Sequence, residues 1–341
     1  MTEVKNYNEP ELTKAVDLCS PDGRLNREAV GWSRQPLHNC NLTGSPLRKK
    51  RWNYWAVATE RCLFSATLTN LDYLGLAFVY LIDFETNFYH ELTIPRPFGR
   101  GCFLGNYVGD DVFFEDEKMS VAFKTGSSDT EIRVDCPSFK GDVLSAALRV
   151  NYPPAHETLN VVIPWNDKRF QFTSKQNALP AEGTIKLGPE EYDMAGGFGC
   201  LDYGRGIWPF SCFWNWASAA GRAGEHTIGL NFGAGWTDGT GMNENGICLD
   251  GKLSKISEDV IFEYNERNFS YPWNIRTALS DRVNVTFEPF FKRAAKNKVL
   301  IIGSEMTQLF GRFSGTVKDD AGTAYTFANL LGWAEEHHAR W

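Results

Sequence analysis

A short stretch of sequence, Arg-Trp-Asn-Tyr-Trp-Ala at residues 51–56, recurs in altered form as Phe-Trp-Asn-Trp-Ala-Ser at residues 213–218. The offset between the matching tryptophans, Trp52 and Trp214, is 162 positions (214 − 52), close to half of the 341 residues. A repeat of this period is typical of two similar domains packed as a pseudo-dimer. Ligands and reacting groups often lie where such domains meet.

Further landmarks follow the opening stretch of each half in the same order. Strand-like segments end at Asp83 and Asp250, aromatic-x-Gly turns begin at Phe139 and Phe313, and each half closes on a tryptophan followed by charges, at Trp165 and Trp333. The spacing drifts slightly, as insertions in connecting loops would produce. The sequence therefore predicts a repeat that extends beyond its opening stretch.

Most of the apolar segments have the composition and length of strands. Residues 62–68, 76–82, 143–150, 159–163 and 227–232 are rich in β-branched and aromatic residues and are bounded by turns. Many such segments at regular spacing are typical of barrels or sandwiches. We expect an all-β chain with two lipocalin-like antiparallel β-barrels in tandem. A barrel of eight to ten strands can hold one small apolar ligand.

The expected domain limits follow from the repeat and from the turn-rich residues between the halves. Residues 1–30 form an N-terminal lead-in, residues 31–176 the first barrel and residues 192–341 the second barrel. Residues 177–191, which include Leu-Pro-Ala-Glu-Gly, form the expected linker.

Composition limits the function. The net charge is −7, from 35 basic and 42 acidic side chains, so no broad basic surface is available for nucleic acid. Aromatic residues make up 14% of the chain, including 11 Trp and 24 Phe, enough to fill wide cores or to line an apolar cavity. The longest apolar run, residues 74–82, is too short to span a bilayer.

The cysteines and the N-terminus indicate a reducing compartment. The eight cysteines show no zinc-finger or CxxC spacing, and the first residues lack the basic and apolar regions of a signal peptide. We therefore expect a cytoplasmic protein. The six histidines show no HExxH spacing, and no Walker, nucleophile-elbow or dinucleotide motif is present, so neither a metal nor a cofactor is expected.

Several long motifs resemble those of the domain of unknown function 2804 family. They are residues 31–38 (Gly-Trp-Ser-Arg-Gln-Pro-Leu-His), 170–177 (Phe-Gln-Phe-Thr-Ser-Lys-Gln-Asn), 202–219 (beginning Asp-Tyr-Gly-Arg-Gly-Ile-Trp-Pro-Phe) and 332–337 (Gly-Trp-Ala-Glu-Glu-His). The resemblance covers nearly the whole chain.

More distantly, the chain is similar to the hydroxyneurosporene synthase (carotenoid hydratase) superfamily. That resemblance implies two lipocalin-type barrels in one chain and an acidic, Trp- and His-rich motif at the entry to the second barrel. Here Asp202 is present, but Tyr-Gly-Arg-Gly at residues 203–206 replaces the His and Trp-Gly that follow in the superfamily.

Asp202 and Arg205 are the leading catalytic candidates. A carboxylate in an apolar cavity has a raised pKa and can act as a general acid, with Arg205 as its orienting partner. Protonation of an alkene would leave a cation that the π-faces of Trp208, Trp214 and Trp216 can stabilise. The alternative is a buried Asp–Arg pair that pins the turn between the domains.

Two further acids are candidates. Glu335 closes the second barrel beside Glu336 and His337, and Glu244 follows a turn-rich loop and enters the next strand. Each can act as an acid if it faces the cavity. The alternatives are solvated charges at a strand end for Glu335 and an ordinary hairpin connection for Glu244.

The remaining candidates are substrate-binding residues. Arg34, His38 and Lys175 lie in the motif-bearing part of the first half, where they can bind a carboxylate or an oxyanion. Asn215 lies among bulky apolar neighbours and needs hydrogen-bond partners if it points inward. For His38, a structural role is the competing interpretation.

The sequence favours a cofactor-independent lyase or isomerase, hydratase- or cyclase-like, that acts on a hydrophobic isoprenoid or lipid-like small molecule. A non-catalytic binding or carrier protein for a lipid-like molecule is the main alternative. A structural or polysaccharide-binding module, with its aromatic residues on an exposed face, is a third. An unpaired acidic group that faces the cavity would distinguish the enzyme from the carrier.

Overall fold

The computed structural model describes residues 7–299 and 302–340, and it consists of β-strands with one short turn of 3-10 helix at Arg27–Ala29. In the N-terminal part the strands are β1 (Val16–Asp17), β2 (Trp32–Ser33), β3 (His38–Asn39), β4 (Lys49–Ala58), β5 (Cys62–Asn70), β6 (Leu74–Asp83), β7 (Phe88–Pro97), β8 (Val112–Asp116), β9 (Met119–Thr125), β10 (Asp129–Phe139), β11 (Asp142–Asn151) and β12 (Leu159–Asn166). The later strands are β13 (Arg169–Leu187), β14 (Glu190–Asp193), β15 (Gly197–Ile207), β16 (Ser211–Ala223), β17 (His226–Ala234), β18 (Gly246–Leu249), β19 (Lys252–Lys255), β20 (Val260–Glu263), β21 (Trp273–Thr277), β22 (Val283–Val299), β23 (Ile302–Lys318) and β24 (Ala324–Arg340).

The strands form two large antiparallel sheets. The first follows the order β7-β6-β5-β4-β15-β13-β11-β10-β9-β8, with β2, β12 and β14 attached at β13 and its neighbours. The second follows the order β19-β18-β17-β16-β24-β23-β22-β21-β20. Each sheet curls around its own apolar core, so the predicted all-β fold of two lipocalin-like barrels in tandem is confirmed.

Alternation along the strands explains the two cores. In β10, Ile132, Val134 and Cys136 are buried while Arg133 and Asp135 between them are exposed, because successive side chains point to opposite faces. The interiors of both curled sheets are filled by such side chains. The interiors of both barrels are therefore packed apolar core, and the candidate site lies outside them.

A second apolar layer joins the two sheets. Trp216, Phe310 and Trp333 of the second sheet pack with Leu63 and Tyr80 of the first. The strands at this contact are buried on both faces, as β13 shows from Phe170 to Leu179. The central strands of each sheet therefore present one face to their own core and the other to the opposite sheet.

The expected linker and domain limits are wrong. Residues 177–191 fall within β13 and β14, and β15 (Gly197–Ile207) lies between β4 and β13 in the first sheet. The chain passes from the first sheet to the second between Ile207 and Ser211. The Pro and Gly of the expected linker sit inside a long strand, where Gly183 has a positive φ of 122° and a Cβ would lie 2.2 Å from the Ala147 carbonyl oxygen.

The strand orders also revise the repeat. β4 matches β16 at the centre of each sheet, so Trp52 and Trp214 are equivalent, and Asp83 and Asp250 follow equivalent strands. The other two matches are wrong. Trp165 lies on β12 at the margin of its sheet, whereas Trp333 lies on the central strand β24. Phe139 ends β10, whereas Phe313 lies on β23, whose place in the second sheet corresponds to that of β13. The true counterpart of β24 is β15, because each pairs with the strand that carries the repeated motif.

The expected lead-in is packed against both sheets. Tyr7 donates to Asp259 in the second half at 2.8 Å, and Glu9 pairs with the buried Lys255. Leu18 and Leu25 lie in the core of the first sheet. Seven of the eight cysteines are buried free thiols, and Cys212 is half-buried. Within the described residues, no helix has the length and apolar character needed to cross a membrane.

Candidate functional site

Three polar side chains lie side by side on neighbouring strands of the first sheet. Asp202 on β15 is directly opposite Tyr54 on β4 and Lys175 on β13. Residues opposite each other on neighbouring antiparallel strands point to the same face. Tyr54, Asp202 and Lys175, here named the first row, therefore face the second sheet together.

Lys175 connects this row to a second carboxylate. Its Nζ lies 2.9 Å from Asp202 Oδ2 and 3.1 Å from Glu244 Oε2, and it stands 4.5 Å from the centre of the Trp216 ring. Burial alone would lower the pKa of Lys175, but the charges of Asp202 and Glu244 outweigh it and raise the pKa above its ordinary value. Lys175 is therefore a fixed cation, shared by two acids.

Glu244 reaches Lys175 because a glycine leaves room for it. A Cβ on Gly233 would lie 2.0 Å from Glu244 Oε1. Trp236 Nε1 donates to the same oxygen at 2.8 Å. Burial raises the pKa of Glu244, while Lys175 opposes that rise. The loop before β18 thus supplies a buried acid to the contact between the sheets.

The second sheet carries an equivalent row. Glu335 on β24 is opposite Trp216 on β16 and Gln308 on β23, and Gln308 is opposite Arg293 on β22. Trp216, Glu335, Gln308 and Arg293 form the second row, which faces the first. Gln308 therefore occupies beside Glu335 the place that Lys175 occupies beside Asp202.

Within the part of the chain that the structure describes, the groups that bond to the Glu335 carboxyl are neutral. Trp214 Nε1 donates to Oε1 at 3.0 Å and Gln308 Nε2 donates to Oε2 at 3.0 Å. Burial raises the pKa of the Glu335 carboxyl to about 7, and the negative charge of Asp202 adds to the rise while Lys175 and Arg293 oppose it. Glu335 can therefore hold or release a proton near neutral pH.

Arg293 fixes the outer end of the second row. Its guanidinium donates to Glu91 Oε2 on the first sheet at 2.6 and 2.9 Å and to Gln308 Oε1 at 3.2 Å, and it lies 4.4 Å from the Tyr80 ring centre. Because Arg293 occupies the amide oxygen of Gln308, the amide nitrogen is directed at Glu335. Arg293 thus clamps the two sheets together and sets the orientation of Gln308.

Aromatic rings border the carboxylates. Trp52, Tyr54 and Trp214 are half-buried, and the Asp202 side chain keeps 16% of its surface exposed. A Cβ on Gly204 would lie 2.1 Å from the Trp52 ring, so this glycine lets the indole lie against β15. We name this half-buried set, Trp52, Tyr54, Trp214 and Asp202, the cleft; its aromatic rings lie beside the carboxylates at the contact between the sheets.

Arg205 does not orient Asp202. The two residues are three positions apart on β15 and therefore point to opposite faces of the sheet. Arg205 is buried on the core side of the first sheet, where it donates to Asn53 Oδ1 at 2.8 Å and to the backbone oxygens of Trp52, Gly204 and Gly105. The expected Asp202–Arg205 pair is wrong, and Lys175 takes the place of Arg205.

Two other expected binding residues also lie away from the cleft. His38 bonds to the Ala29 carbonyl and packs against Phe172, and burial lowers its pKa to about 4. Arg34 pairs with Glu11 and Glu157 at the surface. Both have structural partners, so neither contributes to the cleft.

Asn215 and Trp208 are placed differently. Asn215 points away from the first sheet, and its amide donates to Tyr264 Oη and to the Glu335 carbonyl. Trp208 stacks on Trp236 at 5.1 Å and touches Trp214 at 5.6 Å, at the edge of the cleft. The structure therefore brings together Asp202, Glu244, Glu335, Lys175, Trp208, Trp214 and Trp216 of the sequence candidates.

Sequence reasoning missed Tyr54, Gln308 and Arg293. Tyr54 stands in the repeated motif, where Trp216 is its counterpart, so the repeat itself was a usable signal. Gln308 and Arg293 join the site because the register of β22, β23 and β24 places them beside Glu335. Across residues 7–299 and 302–340, no three His, Cys, Asp or Glu side chains are grouped so as to hold a metal ion.

The chain is similar to several solved structures. CghA, solved with Sch210972, aligns with a TM-score of 0.51 at 13% identity, over 86% of this chain and 88% of that one. A putative AttH protein from Nitrosomonas europaea aligns with a TM-score of 0.49 at 13% identity, over 85% of this chain and 92% of its own. Kievitone hydratase from Nectria haematococca aligns at 0.46 and 8% identity, over 85% and 88%. The likeness to CghA shows the double-barrel fold alone.

The family is shown by sequence. No curated protein matches the chain. A family model does match, over residues 9–341, and its description is "Domain of unknown function (DUF2804)". The resemblance predicted from the motifs is therefore confirmed, and the chain belongs to the DUF2804 family.

Proposed function

We propose that this protein is a cofactor-independent lyase or isomerase, hydratase- or cyclase-like, which transfers protons to and from a hydrophobic isoprenoid or lipid-like substrate in the cleft. One observation carries the proposal. Asp202 and Glu335 occupy equivalent strands of the two sheets, but Asp202 is paired with a cation whereas Glu335 accepts hydrogen bonds from the neutral donors Trp214 and Gln308.

Glu335 is the proposed acid. A catalytic acid works best when its pKa lies near the working pH, and burial raises the pKa of Glu335 to about 7. Trp214 and Gln308 hold its two oxygens. Delivery of the Glu335 proton to one carbon of an alkene would break the π-bond and leave the positive charge on the other carbon.

Asp202 is the proposed base. Lys175 Nζ lies 2.9 Å from Asp202 Oδ2, and Thr173 donates to Asp202 Oδ1 at 3.3 Å. These two contacts from β13 orient the carboxylate. It can take a proton from the carbon next to the cation, which gives an isomerised alkene. If it takes the proton of an attacking water instead, the product is an alcohol. In both outcomes the protons balance, because Glu335 gives one proton and Asp202 accepts one.

The aromatic walls suit the charged intermediate. A cation within about 6 Å of an aromatic face is attracted by the ring quadrupole. Trp52, Tyr54 and Trp214 border the carboxylates, and Trp216 already contacts the ammonium of Lys175. These rings would lower the energy of the cation while they exclude most water.

The competing proposal is a carrier for a lipid-like molecule. A carrier needs an apolar surface but gains nothing from a buried, protonatable glutamate. The acid–base arrangement therefore favours an enzyme. The seven buried free cysteines support a reducing compartment, which is consistent with a cytoplasmic location.

The test begins with native mass spectrometry and organic extraction of freshly purified protein. Extracted compounds and a panel of polyenes and terpenoid alcohols are then incubated with the protein in deuterium oxide and in ¹⁸O-water. We expect solvent deuterium at carbon, and ¹⁸O if the reaction is a hydration. Asp202→Asn and Glu335→Gln should each abolish the incorporation.

Glu336→Gln is the matched control, because Glu336 is the next residue on β24 but points to the other face and bonds to Tyr264. It should retain full activity. Incorporation that survives Glu335→Gln, or a ligand that is bound but never altered, would refute the enzymatic proposal.

A further inference from the structure

A separate open space lies along the same strands that carry the carboxylates. It has a volume of about 520 Å³ and is bordered by β15 and the β4–β5 turn of the first sheet and by β16 and β24 of the second. Cys200 and Trp333 line it, and they precede Asp202 and Glu335 by two residues. Alternate residues of a strand share a face and lie roughly 7 Å apart. This space, here named the cavity, therefore adjoins the carboxylates on one continuous surface.

Small residues create the cavity. Its lining includes Ala58, Ala195, Gly196, Gly199, Ala219, Ala220 and Gly221. A Cβ on Gly221 would lie 2.8 Å from Leu330 Cδ2, so even one added carbon would displace the wall. The space between the sheets is open here because β15 and β16 carry short side chains at this level, whereas large rings occupy the cleft.

The walls favour an uncharged, apolar occupant. Phe198, Leu330, Leu331 and Trp333 supply the larger surfaces. The amide nitrogen of Asn177 is already used, because it donates to Ser218 Oγ and to two backbone carbonyls. The Asn177 amide nitrogen is therefore not available to bind a polar ligand body.

Glu60, Arg61, Asp193 and Arg222 bring charge to the rim of the cavity, and the first two of them are ion-paired. Glu60 pairs with Arg312 at 2.6 Å, and Arg61 pairs with Asp83 at 3.4 Å. A charged ligand body would have to compete with these partners. An apolar body would instead cover carbon surface, which is favourable in water.

Aromatic contacts run from the cavity wall to the residues beside the carboxylates. Trp216 meets Trp333 edge to face at 5.7 Å, and Tyr54 meets Trp216 edge to face at 6.0 Å. A molecule seated against Trp333 would extend its end towards Tyr54 and Trp216. Those two residues stand opposite Asp202 and Glu335 in their rows.

We propose that the cavity binds the non-reacting body of the substrate, an elongated, uncharged, apolar molecule such as an isoprenoid chain, and directs its reactive end to Asp202 and Glu335. The assignment of the reactive end rests on the proposed function, whereas binding in the cavity does not. The volume lies within the range of about 300–1,000 Å³ that encloses small organic ligands.

Retinol is a suitable probe, since it is an uncharged isoprenoid that quenches tryptophan emission when bound. We expect saturable quenching in the wild-type protein. Ala220→Phe fills the cavity from β16, and it should weaken binding on the order of tenfold. Ala58→Leu fills it from β4 and gives an independent test should the first variant fold poorly. Ala147→Phe, an exposed alanine of β11, is the control and should bind as wild type.

Two results would overturn the cavity proposal: no saturable binding by the wild-type protein, or unchanged binding by both folded cavity-filling variants. Glu335→Gln separates this proposal from the enzymatic one, because it should bind retinol normally. Normal binding to the cavity without turnover of any compound would defeat the proposed function and leave the binding site intact.

Discussion

Asp202 and Glu335 occupy equivalent positions in the two halves of the chain. Asp202 stands opposite Tyr54 and Glu335 stands opposite Trp216, the aromatic residues at the same place in the repeated motif. The next strand contributes Lys175 in the first sheet and Gln308 in the second. One position, a lysine in one half and a glutamine in the other, therefore gives the two carboxylates different roles.

Gln308→Lys should lower the pKa of Glu335 because it brings a cation to the place that Lys175 holds beside Asp202. Trp214 reports the change, since its indole N–H is bonded to Glu335 at 3.0 Å. The ¹⁵N-detected titration of this N–H should shift to lower pH by about one unit or more. Gln308→Met, which removes the amide without adding charge, should not lower it. Equal titrations in both variants would rule out the charge argument.

Glu335 should make the protein less stable as pH rises. Its folded pKa of about 7 lies above its ordinary value of 4.5, so the folded state holds the proton more tightly. Its contribution is complete below the ordinary value and is lost as pH rises through about 7. The loss is on the order of 3 kcal/mol for a shift of this size. In urea unfolding, the free energy of unfolding of Glu335→Gln should lack this pH-dependent loss between pH 5 and pH 8. The same loss in the wild type and in the variant would contradict the prediction.

Lys175→Met should strongly destabilise the fold. The ammonium neutralises Asp202 and Glu244, so its removal leaves two acids near each other in a buried place. Removal of one partner from a buried ion pair costs about 3–5 kcal/mol. The triple variant Lys175→Met, Asp202→Asn, Glu244→Gln should recover much of that loss in denaturant unfolding. A single variant as stable as wild type would show that the lysine does not compensate the acids.

Gly233→Ala should disturb Glu244 directly. The added Cβ would lie 2.0 Å from Glu244 Oε1, so the carboxylate must leave its contacts with Trp236 and Lys175. We expect a loss of about 1–3 kcal/mol in unfolding free energy. Gly109→Ala is the control, because a Cβ there meets only Thr125 Cγ2 at 4.0 Å. Equal stabilities for the two variants would contradict the close approach.

Arg205→Lys should affect folding rather than proton transfer. The guanidinium holds Asn53 and three backbone oxygens on the core side of the first sheet, and a lysine cannot reproduce these bonds. We expect a loss of about 2–4 kcal/mol in unfolding free energy. The titration of the Trp214 N–H should stay at its wild-type midpoint. A changed titration with unchanged stability would instead place Arg205 in the acid–base machinery.

The sequence was sufficient for the class of fold and for the members of the site that lie in motifs. Repetition of the motif around Trp52 and Trp214 predicted two similar β-units, because short alternating segments carry a strong strand signal. Asp202, Glu335 and Glu244 were recognised as acids beside aromatic residues. All three lie at the contact between the sheets, where two similar domains place their shared surface.

Strand order and register were beyond the sequence. β15 follows the expected linker in the chain, yet it is inserted between β4 and β13, and this long-range pairing sets Lys175 beside Asp202. Closeness in sequence favours Arg205 as the partner of Asp202, but residues three apart on a strand point in opposite directions. Gln308 and Arg293 became visible only through the pairing of β22, β23 and β24.

The most direct test is a ¹³C NMR titration of the Glu335 carboxyl in the wild-type protein, assigned with Glu335→Gln. We expect a midpoint near pH 7, since burial raises the pKa of this group to about 7. Glu335 would then carry a transferable proton at neutral pH. A midpoint at or below the ordinary glutamate value of 4.5 would leave Glu335 ionised at neutral pH and would contradict its role as the acid.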